Sequence, residues 1–290
     1  MTIKYFWVCD GKSSTGEGNL ARLYIKKIIG KKIIITCETF FENKIFQKIL
    51  NYKYISPFFG IFVCWYFYYQ KKNISYVNYL PLWNFFIFLL LPPGTNIGPV
   101  TGGALFSKNN QYIVRKYAFP ILYKISEKIL NYRFAKILFA TSLLKKHLSK
   151  KTITKSEFNF VLHYLKLKKT KKKKIDFLIY YRKHINKLNL FNYSFVEKIN
   201  KKNLKIYIVG DKLDMPNIKN IGYISNNRLK NLLAKTRYTL SSNENIYSLF
   251  NIECINNNVK IFAHSKDIPK DNFFRKKFIS LKRMSLNKNF

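Results

Sequence analysis

Residues 236–263 read TRYTLSSNENIYSLFNIECINNNVKIFA. Tyr238, Thr239 and Leu240 are strand formers. Ser241 to Glu244 make a polar loop whose residues can cap a helix. Leu249, Ile252 and Glu253 then recur at helical spacing, with Leu249 and Ile252 expected in the core. Asn256 to Asn258 end that helix, because asparagine tolerates the left-handed conformation that helix ends favour. Residues 259–263 form a short apolar strand. The unit is therefore strand, loop, helix, strand. Its loop and helix N-terminus fall at the C-terminal edge of a parallel sheet, where anionic ligands dock.

The residues upstream extend the same pattern. Residues 175–181 read as a buried strand, followed by Arg182 and, five positions on, Lys187. Phe195, Val196 and Ile199 have helical spacing. Residues 204–209 form a strand ending in Gly210-Asp211, and residues 220–223 another strand edge. Ser225 caps a helix bearing Leu229, Leu232 and Leu233. Such regular alternation of strand and helix argues for a parallel sheet.

This half of the chain resembles the donor-binding segment of retaining glycosyltransferases of the GT-B architecture, glycosyltransferase family 4 in particular. The family pattern is a glutamate, an aromatic, a small residue and leucine, then a second glutamate, with seven residues between the two. Tyr247-Ser248-Leu249 stands at the triplet and Glu253 at the second glutamate. That spacing puts Asn245 at the first position, with Glu244 beside it. A strand ending in Val-Gly-Asp likewise precedes the glutamate segment in the family.

The resemblance implies an α/β fold of two Rossmann-like parallel-sheet domains facing a cleft. Residues 1–166 would bind the acceptor and residues 168–265 the nucleotide sugar. Residues 266–290 are expected as a tail, helical in pattern over 271–284, that packs back on the first domain. It also implies roles. Arg182 and Lys187 would clamp the diphosphate, Arg as a bidentate fork and Lys as a point charge. Glu244 or Asn245 would face the transferred sugar. Tyr247, Ser248 and Leu249 would line the donor, with the last two offering backbone N–H groups to phosphate. Glu253 would accept both ribose hydroxyls. Neither a metal nor a cofactor is implied, since basic side chains and a helix N-terminus stabilise the leaving diphosphate.

The first half matches the resemblance in architecture alone. Residues 4–9 and 32–36 read as strands, 42–50 as a helix and 74–78 as a strand. Residues 10–18 form a glycine-rich loop ahead of a helix from Asn19, but with neither dinucleotide-binding nor P-loop spacing. Gly16, Glu17 and Gly18 are its expected cleft residues. A second such loop, residues 94–103, is too rich in Gly, Pro and Thr for an element interior, and offers Thr101, Gly102 and Gly103. Residues 112–130 have helical apolar spacing interrupted by Pro120. Ile137 to Ala140 reads as a strand, with Ser142 a cap for the helix that follows.

Composition sets the outer limits. In 290 residues, 48% hydrophobic content is ample for packed cores despite a net charge of +39. That charge either attracts nucleic acid or an anionic membrane, or reflects a chain rich in Lys, Asn, Ile, Phe and Tyr throughout. The chain has no helix-turn-helix, RNP or zinc-finger signature, so no specific nucleic acid is expected. Cys9, Cys37, Cys64 and Cys254 are scattered in apolar runs and form no zinc or redox motif. The four histidines have no ligand spacing. No signal peptide is visible. The apolar runs 58–69 and 80–92 fall short of the roughly 20 residues a spanning helix needs, which leaves buried strands or core helices, or else shallow membrane contact. Residues 166–174, KLKKTKKKK, are either a solvated hinge or a polybasic contact worth about 1 kcal/mol per lysine at an anionic surface.

The expected function is sugar transfer from a nucleotide sugar to a glycan or lipid-linked acceptor in cell-surface polysaccharide biosynthesis. The expected location is the cytoplasm, with peripheral contact on the inner face of the plasma membrane. The alternatives are a non-catalytic GT-B-like protein and a basic nucleic-acid-binding protein.

Overall fold

The computed structural model describes residues 4–7, 16–26, 33–35, 40, 42–50, 55–77, 80–102, 112–134, 136–169, 171–183, 190–242 and 245–282. The chain divides into two compact units, Met1–Phe106 with Asn110–His163, and Ser107–Asn109 with Tyr164–Phe290.

In the first unit the elements are β1 (Lys4–Trp7), α1 (Gly16–Tyr24), β2 (Ile33–Ile35), α2 (Lys44–Leu50), α3 (Ser56–Tyr69), β3 (Ile74–Val77), β4 (Leu80–Pro81), α4 (Phe85–Leu90), β5 (Asn96–Ile97), β6 (Val100–Thr101), α5 (Tyr112–Arg133), β7 (Ile137–Leu138), α6 (Lys150–Thr154) and β8 (Ser156–Glu157). The main sheet runs β2-β1-β3-β5, and its strands are parallel. α3 packs on β1 and β3. The core joins Val63, Cys64 and Phe67 of α3 to Tyr76 of β3, Phe88 of α4 and Tyr123 of α5.

Several local expectations change here. α1 begins at Gly16 rather than Asn19, so Gly16, Glu17 and Gly18 form its first turn and not a loop. The stretch 94–103, expected as loop throughout, contains β5 and β6. Gly98 allows this, because its N–H donates to the Tyr76 carbonyl at 2.8 Å and a Cβ would meet the Val77 Cα at 3.3 Å. Pro120 does not interrupt α5, which continues to Arg133. The proline forfeits the bond to the carbonyl four residues back and its ring crowds that carbonyl, yet the helix runs through it. Thr141, not Ser142, caps the following turn, a 3₁₀ helix over Ser142–His147, by accepting from the Leu143 N–H.

The second unit holds β9 (Ile175–Tyr181), α7 (Tyr193–Asn200), β10 (Ile206–Gly210), β11 (Ile218–Gly222), α8 (Asn226–Ala234), β12 (Thr236–Leu240), α9 (Leu249–Asn256), β13 (Lys260–Ala263), α10 (Asn272–Arg275) and β14 (Phe278–Ser280). Its six strands lie in the order β11-β10-β9-β12-β13-β14, all parallel. The chain starts in the middle, winds outward to one edge, and returns to wind outward to the other. This is the doubly wound Rossmann order, with its switch point between β9 and β12. The helices begin on side-chain caps. Asn192 accepts from Phe195, Ser225 from Arg228 and Asp271 from Phe273 and Phe274. α7 turns Phe195, Val196 and Ile199 into the core.

The tail differs from the helical segment expected over residues 271–284. Among the described residues of that span only α10 is helical, and β14 then adds a parallel strand to β13, pairing Ile261 with Phe278 and Ala263 with Ser280. The buried Phe278 explains the choice, since an edge strand on β13 covers it and pairs one side of its backbone. The lysine run is held at three points, with most of its side chains exposed. Lys166 N–H donates to Asn256 Oδ1 at 2.6 Å, Lys168 N–H to the Asn256 carbonyl at 2.8 Å, and Lys173 Nζ to the Asn257 carbonyl at 2.9 Å. Those carbonyls are at the end of α9, where a helix presents unspent acceptors and favours cations.

Candidate functional site

The C-terminal edge of the second sheet, at its switch point, gathers the candidate residues. β9 delivers Tyr180 and Tyr181 and then Arg182 and Lys183. β12 runs beside it in register, Tyr238 against Phe177, and ends at Leu240. Past that end Ser241 N–H donates to the Phe262 carbonyl at 2.9 Å. Asn251 then fixes the loop, its Nδ2 donating to Ser241 Oγ and to the Ile246 carbonyl, each at 2.9 Å.

The helix start is set by Ser248, and not by residues 241–244. Its Oγ accepts from the Asn251 N–H at 3.2 Å, so α9 begins at Leu249. Asn245 Oδ1 accepts from the Tyr247 N–H at 3.0 Å. That oxygen therefore turns the chain into the helix. The Tyr247 ring packs edge-on against Phe274, 5.4 Å between centroids, and burial followed by the Asp271 charge raises its pKa. Leu249 is half-buried, unlike Ile252, which is fully enclosed as expected. The Phe250 ring lies 5.6 Å from that of Tyr180. This contact brings the first turn of α9 to the end of β9, the strand that carries Arg182. The helix ends at Asn257, and Asn258 adopts φ +54°, as the asparagine run implies.

Arg182 stands in an electrostatic cluster with Asp211 and Tyr223. Tyr223 OH donates to Asp211 Oδ1 at 2.6 Å, and Lys183 N–H donates to Oδ2 at 2.6 Å. These two hydrogen bonds, with Arg182 and Lys183 nearby, hold the Asp211 carboxyl below its ordinary pKa. Gly210 makes the approach possible. Its φ is +101°, and a Cβ there would sit 2.2 Å from the Tyr181 carbonyl oxygen. Only glycine fits, because it lacks the atom that would clash and tolerates that dihedral.

Glu253 lies in the second turn of α9 with its side chain about nine-tenths covered. Lys168 Nζ stands 3.8 Å from Oε2 and Lys230 Nζ 3.9 Å from Oε1. These are ion-pair distances, too long for hydrogen bonds. Oε2 is buried and accepts no hydrogen bond. A carboxylate oxygen in that state is an open acceptor beside two cations.

The second unit thus brings Arg182 and the start of α9 to one sheet edge, and sets Glu253 one turn further along that helix. Gly16, Glu17, Gly18, Thr101 and Gly102 belong to the first unit. Thr101 sits in β6 paired with Pro81, and its Oγ1 is buried without a partner. Lys187, Glu244 and Gly103 lie outside the described residues, as do residues 10–15. Sequence reasoning gave no role to Tyr180, Tyr223, Phe250 and Lys230, and read Lys168 only as part of the lysine run. Only the Gly210-Asp211 pair hinted at the aromatics, and nothing in the local pattern set either lysine beside Glu253. No group of three or more His, Cys, Asp or Glu among the described residues could hold a metal ion.

No family model matches the chain, and no curated protein does. Among solved structures the chain is similar to E. coli heptosyltransferase WaaC with ADP, at 10% identity and a TM-score of 0.35, over 97% of this chain and 92% of that one. At that distance the likeness assigns no residue a role.

Proposed function

We propose that the chain is a glycosyltransferase of the GT-B architecture, its second unit similar to family 4 enzymes. It would move a sugar from a nucleotide-sugar donor to a glycan or lipid-linked acceptor in cell-surface polysaccharide biosynthesis. The observation that carries the reading is Glu253. Its open, buried Oε2 sits one turn into the helix that starts at the switch point of a doubly wound sheet, where nucleotides bind.

The donor's parts then find complementary groups. The N–H groups that a helix start leaves unspent, here those of Leu249 and Phe250, face an anion. Arg182 adds a bidentate donor for the diphosphate, and Lys187 a second cation. Glu253 accepts the ribose hydroxyls, with Lys168 and Lys230 beside it. Asn245 Oδ1 accepts from the Tyr247 N–H at the turn, and contact with the transferred sugar is assigned to Glu244. The reading takes the reaction as retaining and metal-independent, with the leaving phosphate as the base.

The test is nucleoside diphosphate and nucleotide-sugar binding by calorimetry, with a melting curve for each variant. Arg182→Ala should weaken nucleoside diphosphate binding by about 1.5–3 kcal/mol, the range for hydrogen bonds to charged groups. Glu253→Gln should lower nucleotide-sugar affinity by about tenfold or more at an unchanged melting temperature. If Glu253→Gln melts normally and binds every donor as tightly as the parent, Glu253 is a structural ion-pair partner and the donor site is wrong.

A further inference from the structure

The first unit carries apolar helix faces whose described side chains are largely exposed. α3, SPFFGIFVCWYFYY, contains no charged residue. One face is buried through Phe59, Val63, Cys64 and Phe67. An adjoining row, Phe58, Phe62, Tyr66 and Tyr69, is exposed, and Phe62 is 61% exposed. A helix that is apolar all round is normally enclosed all round. α4 packs beside α3 and repeats the arrangement, burying Ile87 and Phe88 while leaving Phe86, Leu89 and Leu90 exposed. α5 packs beside α4 and shows Ile113, Tyr117, Ile121 and Ile125, each four residues from the last.

Charge on these helices has one sign. Lys116, Lys124 and Lys128 of α5 are exposed. The single acid in the three helices is Glu127, and it is buried, accepting from Ser149 and Thr152. The surface is therefore apolar, rich in tyrosine and purely cationic. No described helix is long and apolar enough to cross a membrane.

We infer that the open faces of α3, α4 and α5 form a seat for an anionic phospholipid bilayer, lying in the interface without spanning it. The apolar rows enter the boundary between headgroups and acyl chains, as in-plane amphipathic helices do. Tyr66, Tyr69 and Tyr117 suit the headgroup level, where an aromatic ring and a hydroxyl are both satisfied. The α5 lysines complement anionic headgroups. In the lysine run at residues 166–174, by contrast, the backbone of Lys166 and Lys168 and the Lys173 ammonium are bound at the end of α9. This inference does not rest on the donor site, which lies in the other unit.

The experiment is sedimentation of the full chain with vesicles of phosphatidylcholine alone, or of phosphatidylcholine with phosphatidylglycerol. The parent should bind the anionic vesicles at least about tenfold more tightly than the neutral ones. Phe62→Asp combined with Ile121→Asp should lower that binding by at least about tenfold without lowering the melting temperature, since both positions are exposed. Replacing Lys116, Lys124 and Lys128 together by Gln should abolish the preference for anionic vesicles, and provides the test if the aspartate pair fails to fold. Replacing Lys171 to Lys174 by Gln should leave binding within about twofold. A parent that binds neither vesicle overturns the inference. So does an aspartate pair that melts normally and binds as before, or a lysine triple with its preference intact. If light scattering shows a dimer that the aspartate pair dissolves while vesicles remain unbound, a second copy covers the face and the membrane seat is wrong.

Discussion

The two units are built on the same plan, an all-parallel sheet with helical crossovers, yet they finish their surfaces differently. In the second unit the described large apolar side chains left exposed are Leu167, Tyr180, Tyr223 and Phe273. Tyr180 and Tyr223 stand at the candidate site. Helices such as α8, NNRLKNLLA, turn a leucine inward and leave polar residues outside. In the first unit α3 and α4 are apolar on both sides and covered on one. A parallel sheet demands an apolar row on each crossover helix and says nothing about the other side of it. The second row is thus an addition that folding does not require.

The sharpest way to break that contrast lies within α3. Phe59→Ala should cost about 3–5 kcal/mol in a denaturant titration, because it empties a packed position. If Phe59→Ala is nearly neutral, α3 is not anchored by its inner face and the two-sided description of the helix fails.

The second unit's site edge should be almost as sensitive at one backbone position. Gly210→Ala places a methyl against the Tyr181 carbonyl in a left-handed conformation, and should cost on the order of 3 kcal/mol. Gly222→Ala also has a positive φ but open space around it, and should cost about 1 kcal/mol. Similar losses for the two would mean that the dihedral, and not the close approach, sets the requirement.

An intermediate effect is expected at Glu127, which ties α5 to the start of α6. Burial alone would raise its pKa, but hydrogen bonds from Ser149 and Thr152 outweigh burial and hold it below the ordinary glutamate value. A depressed carboxylate pKa stabilises the fold above the unfolded value and loses that contribution as pH falls through the folded one. Glu127→Gln should therefore cost about 1.5–3 kcal/mol at neutral pH. The gap between parent and variant should close on acidification. A pH-independent gap would assign the loss to packing instead.

The smallest effect completes the comparison. Phe62→Ala, one turn from Phe59 on the same helix, should change stability by less than about 0.5 kcal/mol. A loss comparable to that of Phe59→Ala would show that the outer row is covered after all.

Much of the second unit was legible because its signals are local. Ser225 before a leucine-bearing helix, the apolar strand 175–181, and an asparagine run closing α9 each declare themselves within a few residues. Ser248 was read as a phosphate contact and not as the cap, because four polar residues at 241–244 offered the same chemistry earlier in the loop. Asn251 settles the matter by tying Ser241 and Ile246 together. Pro120 misled for the opposite reason. It costs a hydrogen bond and crowds the carbonyl four residues back, yet the 22-residue helix continues through it.

The sequence by itself determined the alternation of strand and helix, the parallel sheets it requires, and the helix bearing Glu253. Periodicity and capping are properties of neighbouring residues, and the chain carries them whatever it packs against. Tertiary structure alone decided the strand order that puts β9 beside β12, the addition of β14 to the sheet, and the lysines that flank Glu253. Lys168 and Glu253 are 85 positions apart, and no local pattern encodes their meeting. It also decided which side of α3 is covered. A helix apolar on every face gives no sign of its inward side until a sheet is laid against one of them.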